Sequence, residues 1–104
     1  MKIDLRCNGA SLREYVMRRM GAAMERFRAH IRWARIKVAD AQGGADKRCI
    51  VQLRLYNLPD VVFAITRLDE RAAIDEAAAR AARVLAQRLR RGFGGLAPAP
   101  SAMT

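Results

Sequence analysis

Apolar and polar positions divide the chain into segments with two different periods. Near the start, Ile3 and Leu5 alternate with charged residues, and this period of two predicts a half-buried strand that runs into Cys7. From Ser11 to about Arg28 the apolar positions recur every three or four residues, which predicts an amphipathic helix. The chain therefore opens with a strand followed by a helix.

The start of this helix carries the sequence of a capping box. Ser11 stands at the expected N-cap, and Glu14 follows three residues later. In a capping box both side chains accept hydrogen bonds from backbone amides of the first turn. We therefore expect Ser11 to cap the helix.

The period of two returns in the middle of the chain. Three runs predict strands there, at 32–38, 47–55 and 61–66. The turn sequences Ala41-Gln42-Gly43-Gly44 and Asn57-Leu58-Pro59-Asp60 connect them. Because both connections are short, we expect the three strands to form an antiparallel meander.

The last predicted helix, from Asp69 to Arg91, has two different faces, and Thr66 or Asp69 is expected to cap it. Its apolar positions stack on one side: Ile74, Ala78, Ala81, Leu85 and Leu89. Because about 100° separates successive residues, a set of arginines falls on roughly the opposite side: Arg80, Arg83, Arg90 and Arg91. No acidic residue follows Glu76. The helix therefore packs by one face and offers arginine on the other.

The order of these elements predicts the fold class. A helix joins the first two strands, so they can lie parallel through a right-handed crossover, and both helices then cover one face of the sheet. We predict an α+β fold over residues 1–91, a two-layer sandwich in the order β-α-β-β-β-α with a four-stranded mixed sheet. Residues 92–104 hold three glycines and two prolines without a period, which predicts a disordered tail.

Net charge gives the main indication of function. The chain has 20 Lys and Arg against 10 Asp and Glu, and every basic residue except Lys2, Lys37 and Lys47 is arginine. The planar guanidinium binds phosphate through two hydrogen bonds, and neutralised phosphates release counterions. A codon preference would explain arginine over lysine, but it would not explain the excess of bases. We therefore expect a polyanionic partner.

Catalytic and membrane functions find little support in the sequence. Cys7, Cys49 and His30 do not have the spacing of metal ligands, and no glycine loop of a phosphate-binding type precedes a helix. Asp4 and Arg6 interrupt any signal-peptide core, and no run approaches the ~20 apolar residues of a membrane span. We expect a cytoplasmic protein that is not an enzyme and has no metal or cofactor.

The order of elements also separates the common RNA-binding folds. An RNA-recognition fold ends on a strand and stacks bases on aromatics in its middle strands, whereas 48–55 carries no aromatic. Gly92-Phe93-Gly94-Gly95 has the letters of a KH loop, but no helix follows it. The part from Ser11 to Arg91 has the order of a double-stranded RNA-binding domain, which recognises shape and phosphate. A general duplex-RNA binder or RNA chaperone therefore stays open, as does a basic helix that docks on an acidic protein or an anionic membrane.

Four short motifs together resemble the short form of the ribosome hibernation promoting factors, the ribosome-associated inhibitor family. They are Leu12-Arg13-Glu14-Tyr15-Val16, Met24-Glu25-Arg26-Phe27, Asp46-Lys47-Arg48-Cys49 and Ala72-Ala73-Ile74-Asp75. The resemblance covers about Met1 to Arg91. It implies a translation inhibitor that binds the small ribosomal subunit where messenger and transfer RNA lie, in stationary phase or stress, without DNA or membrane partners.

The resemblance also implies which residues contact ribosomal RNA. It indicates Arg19 on the first helix and Arg80 and Arg83 on the last, with further candidates at the helix end and on the third strand: Arg90, Arg91, Lys47 and Arg48. The chain departs from the family at Arg71, where an aromatic is usual. It departs again at basic positions that are replaced: Ala22 and Gln87. The long form of the family adds a C-terminal dimerisation domain, which this sequence lacks, so we expect a monomer that does not pair ribosomes by itself.

Two further expectations concern side-chain partners. Trp33, Tyr56 and Phe63 are expected to be packing residues rather than platforms for stacked bases. Arg71 and Asp75 are four residues apart on the last helix, a spacing at which they could pair with each other.

Overall fold

The computed structural model describes residues 1–41 and 44–94, the last four of them by their backbone alone. Its strands are β1 (Lys2–Arg6), β2 (Ile31–Asp40), β3 (Lys47–Leu55) and β4 (Val61–Arg67). Its α-helices are α1 (Ala10–Met24) and α2 (Glu70–Gly94), and a short 3-10 helix (Glu25–His30) follows α1. The order β-α-β-β-β-α predicted from the sequence is confirmed.

The strands form one sheet in the order β1-β2-β3-β4. β1 lies parallel to β2, with Leu5 opposite Ile36. β3 runs antiparallel to β2, where Val51 lies opposite Ile36, and β4 runs antiparallel to β3, where Phe63 lies opposite Val51. The expected parallel pair and the expected meander are both confirmed.

The core lies between one face of this sheet and the two helices. Alternate residues of β2 are buried, and each has a buried partner on β3: Ala34 with Leu53, Ile36 with Val51 and Val38 with Cys49. From α1, Val16, Met20 and Met24 join the same cluster. No polar or charged residue of the described part is buried. Burial of each large apolar side chain contributes about 1.5–3 kcal/mol, so this cluster is the main source of stability.

α2 covers the sheet with a face made largely of alanine. Ala73, Ala77, Ala78 and Ala81 are buried along it, together with larger residues that include Ile74 and Leu85. The apolar face predicted from the spacing is confirmed, and small side chains let the helix backbone approach the strands closely. No helix in the described part of the chain is both long and apolar enough to cross a bilayer.

The start of α1 differs from the expected capping box. The helix begins at Ala10, Gly9 is its N-cap, and no side chain bonds to the cap. Gly9 has a φ of 92°, which a residue without a Cβ adopts at little cost, and its carbonyl accepts a hydrogen bond from the Arg13 amide (3.1 Å). Because Gly9 caps the helix two residues before the expected N-cap, Ser11 lies inside the first turn and does not cap it.

The two ends of α2 can be compared with the start and end that the sequence predicted for this helix. Asp69 caps the start, since its Oδ2 accepts a hydrogen bond from the Ala72 amide at 2.9 Å. At the other end the helix continues to Gly94, so the boundary expected at Arg91 lies three residues too early. A glycine in a helix costs only about 1 kcal/mol relative to alanine and does not end it. The remaining part of the predicted tail, 95–104, and positions 42–43 of the first predicted turn lie outside the described residues.

The alanine face of α2 yields a prediction about packing. Ala81→Leu places three extra heavy atoms at a buried position, and overpacking of this kind costs about 1–3 kcal/mol. Ala79→Leu is the matched control, because Ala79 is exposed on the same helix. Urea unfolding followed by circular dichroism should show a lower midpoint for Ala81→Leu and a nearly unchanged one for Ala79→Leu. Equal midpoints for the two variants would contradict the packing described above.

Candidate nucleic-acid interface

The outer side of α2 carries exposed arginines without an acidic partner. Arg83 and Arg90 are exposed there, and neither has a hydrogen-bond or ion-pair partner among residues 1–41 and 44–94. Their position follows from the helix period, since the opposite side is fixed against the sheet by residues such as Leu85. These two guanidiniums are therefore free to bind an external anion.

Arg80 has a different environment from Arg83. It is partly buried, and its guanidinium lies over the ring of Phe63 on β4, 5.7 Å from the ring centre. A guanidinium stacked on an aromatic ring keeps its N–H groups available for hydrogen bonds at its edge. Phe63 itself packs against the core, as expected from the sequence. Arg80 is thus held toward the β4 side of α2, with donors that can still reach a phosphate.

Arg19 joins the two helices. Its Nε lies 2.8 Å from Oδ1 of Asp75 on α2, and the hydroxyl of Tyr15 on α1 donates a hydrogen bond to the same carboxylate oxygen. The pair between Arg71 and Asp75 that the spacing allows is not formed. Asp75 is bound by Tyr15 and Arg19 of α1, and the guanidinium of Arg71 lies over the Tyr15 ring instead.

Two more guanidiniums surround Tyr15. Arg18 lies over its ring at 5.4 Å and Arg71 at 4.7 Å. We call Tyr15, Arg18, Arg19, Arg71 and Asp75 the Tyr15 cluster. Asp75 is its single acidic member, so the cluster keeps an excess of positive charge at the junction of the helices. Arg71 of α2 thus stacks on an aromatic ring of the other helix.

Sequence reasoning missed the Tyr15 cluster, although its signal was present. Tyr15 belongs to the first of the four motifs and Asp75 to the last, and the structure brings these two motifs into contact. The hydrogen bond to Asp75 raises the pKa of Tyr15 above its usual value. The neutral phenol is therefore the form that ties α1 to α2.

Lys47 and Arg48 point to opposite sides of the sheet, because successive residues of a strand alternate. Lys47 Nζ lies 2.6 Å from Oδ1 of Asp40, and this hydrogen bond raises the pKa of the amine. Arg48 is exposed on the face away from the helices and has no partner within the described residues. The structure thus separates Arg48 from the arginines of α2. Arg91 belongs to α2 by its backbone, and its side chain lies outside the described part.

The described residues place neither a reactive thiol nor a group of metal ligands beside the arginines. Burial raises the pKa of Cys49 to about 11 and also raises the pKa of Cys7, so both thiols stay protonated near neutral pH. Across 1–41 and 44–94, no group of three or more His, Cys, Asp or Glu side chains could hold a metal ion. The described arrangement is one of exposed cations on helices that are fixed in position.

Solved structures share this fold. No protein-family model and no curated protein matches the sequence. The N-terminal domain of Protein Y from Thermus thermophilus superposes with a TM-score of 0.66 at 23% identity, over 83% of this chain and 93% of that one. A ribosomal subunit interface protein from Coxiella burnetii superposes with a TM-score of 0.72 at 14% identity, over 84% and 96%. These similarities confirm the predicted α+β fold and, at the level of fold, the resemblance indicated by the four motifs.

The Tyr15 cluster yields a prediction about phenol ionisation. In a Tyr56→Phe background Tyr15 is the single tyrosine of the sequence, and its ionisation can be followed by ultraviolet absorbance. We expect its midpoint above the ordinary value of about 10, and Asp75→Asn should lower it because the carboxylate charge is removed. A phenol with a raised pKa contributes stability below its unfolded pKa, and the contribution is lost as the pH rises through the folded value.

Glu76→Gln is the control for this titration, because it removes a neighbouring negative charge that pairs with Arg67 rather than with Tyr15. Its midpoint should stay close to that of the background protein. An Asp75→Asn midpoint that equals the Glu76→Gln midpoint would show that the tie between the helices is absent in solution.

Proposed function

We propose that this chain is a ribosome-associated translation inhibitor, a hibernation factor that acts in the cytoplasm as a monomer. It binds ribosomal RNA of the small subunit through the outer side of its helices. In that position it blocks the channel for messenger and transfer RNA under stress or in stationary phase. The shared fold with a ribosomal subunit interface protein and a net charge of +10 support this proposal.

The observation that carries the proposal is the pair of unpartnered arginines on α2. Arg83 and Arg90 are exposed on a helix whose other face is fixed to the sheet. Unpaired like charges on a small domain repel one another and lower its stability. Contact with phosphates removes this repulsion and releases counterions, so a polyanionic surface is the partner that this arrangement fits.

The other candidate residues have different roles in the proposal. Arg80, stacked on Phe63, contacts phosphate through its free edge. Arg19 serves first to hold α1 against α2 through Asp75, and its exposed donors contact RNA second. Lys47 is engaged by Asp40 and contributes less, whereas Arg48 lies on the other face of the sheet. Arg91 follows Arg90 in the backbone of α2 and stays a candidate contact.

Co-sedimentation with ribosomal particles tests the proposal. We expect stoichiometric retention on purified small subunits and on whole ribosomes at physiological salt, and no comparable retention on large subunits. A general duplex-RNA binder would bind all particles and free duplex RNA equally well. Release from small subunits at physiological salt, or equal binding to any duplex, would contradict the proposal.

The salt dependence of binding tests the two arginines directly. Each phosphate contact on a duplex contributes about 0.9 to the slope of log K against log salt. The double substitution Arg83→Ala and Arg90→Ala should therefore flatten the slope by about two on small subunits.

The matched control for that measurement removes two charges that already have partners. Arg28 pairs with Glu25, and Arg67 pairs with Glu76. The Arg28→Ala and Arg67→Ala double variant has the same net charge as the test variant. It should leave the slope nearly unchanged. Equal slopes in the two double variants would assign the binding to net charge and remove Arg83 and Arg90 from the interface.

A further inference from the structure

The sheet has a second face that no element of the described chain covers. Register places alternate residues of each strand on it, so that Asp4, Arg35, Gln52 and Val62 form one row across β1 to β4. We call this the open sheet face. It lies on the far side of the sheet from α1 and α2, which both join the core cluster.

Positive charge dominates the open sheet face. Its basic residues come from the first three strands: Lys2, Arg6, Arg35, Lys37, Arg48 and Arg54. Asp4 is the acidic residue among the strand positions of this face, and it pairs with Arg6 and Arg35. Lys2, Lys37 and Arg48 are exposed and have no partner in the part of the chain that the structure describes. The face therefore presents free cations that the helices do not share.

Trp33 lies at one end of these charges, in the same row as Lys2 and Arg54, and Lys37 and Arg48 lie further along the face. It is only partly buried and is not among the residues that pack against the core. The guanidinium of Arg35 lies 5.1 Å from its ring centre and that of Arg54 lies 5.3 Å from it. The packing of Trp33 is therefore against guanidiniums of the open sheet face and not against the core, because its position in β2 has the parity of that face.

An open cleft of about 410 Å³ adjoins the indole and is lined by Lys2, Ile3, Asp4, Trp33 and Arg35. Its volume is within the range of about 300–1,000 Å³ that small-molecule sites occupy. The lining joins one aliphatic side chain, one indole ring and two cationic side chains with the Asp4 carboxylate, which is paired with Arg35. A planar, negatively charged ligand fits these surfaces better than an apolar one.

We propose that the open sheet face binds single-stranded RNA. An unpaired base stacks on the planar groups formed by Arg35, Trp33 and Arg54, and Lys2 contacts the phosphate beside it. Lys37 and Arg48, further along the same face, contact the phosphates of the nucleotides that follow. Bases stack on tryptophan rings and on guanidinium planes, and they can do so only when they are not enclosed in a duplex. This site is separate from the helical surface proposed for ribosomal RNA, and neither depends on the other.

The fluorescence of Trp33 tests the proposal, because the chain has one tryptophan. We expect a twelve-residue oligouridine to quench it, while a duplex of equal length quenches it much less at equal phosphate concentration. The Arg83→Ala and Arg90→Ala variant, which changes only α2, should give the same quenching as the wild type. Equal quenching by duplex RNA or by polyglutamate would overturn the proposal, because a polyanion without unpaired bases would then suffice.

Binding of a labelled oligouridine separates stacking from charge. Trp33→Ala should weaken it about fivefold or more, the smallest loss expected for one stacked base. Tyr56→Ala is the aromatic control, since Tyr56 is exposed beyond the end of β3. Lys37→Gln with Arg48→Gln should instead lower the salt slope by about 1.4, because each contact on a single strand contributes about 0.7. Wild-type affinity and slope in these variants would overturn the proposal.

The two proposals can fail separately. Retention on small subunits depends on the helices and should survive Trp33→Ala. Oligouridine binding depends on the open sheet face and should survive substitution of Arg83 and Arg90. Loss of both activities in either variant set would show that the two surfaces act as one, which contradicts the independent site proposed here.

Discussion

Two helices can cover only one face of a four-stranded sheet, and this constraint determines where everything else in the molecule lies. The apolar residues of all elements converge on that single layer, and no buried position of the described part is polar or charged. The basic residues of the described part therefore stay at the surface, many of them on the outer sides of the helices and on the other face of the sheet. The charge is divided between two surfaces because the fold has two outer sides.

The helices do not rely on apolar packing alone for their mutual position. Tyr15 and Arg19 of α1 converge on Asp75 of α2, so one carboxylate accepts bonds from two side chains of the facing helix. An exposed ion pair contributes little to stability by itself. The ion pair between Arg19 and Asp75 matters here for geometry. It helps to fix the rotation of α2 about the helix axis, and this rotation determines the direction of the arginines on the outer side of α2.

The spacing of apolar residues predicted the fold well because it indicates which side of each helix or strand is buried. That side can be identified from the sequence of the element itself. The alternation in β2 and β3 and the apolar face of α2 could be inferred this way. For the cap of α2, residue type left Thr66 and Asp69 as candidates, and the structure assigns it to Asp69. Side-chain contacts between different helices and strands could not be inferred from periodicity. Asp75 finds a partner 56 residues away in the sequence rather than on its own helix. Ser11 loses its capping role because Gly9 adopts a backbone conformation that composition alone does not reveal.

The buried alanines of α2 link the packing of the core to the position of the arginines on the outer side of the same helix. Ala77 and Ala78 are buried in the core, so exchanging either for a larger residue would push α2 away from the sheet. The arginines would move with it, although none of them had changed. Buried alanines that never contact a binding partner would then influence which partner the arginine surface fits. Substitutions in the core could therefore change binding specificity without any change at the surface.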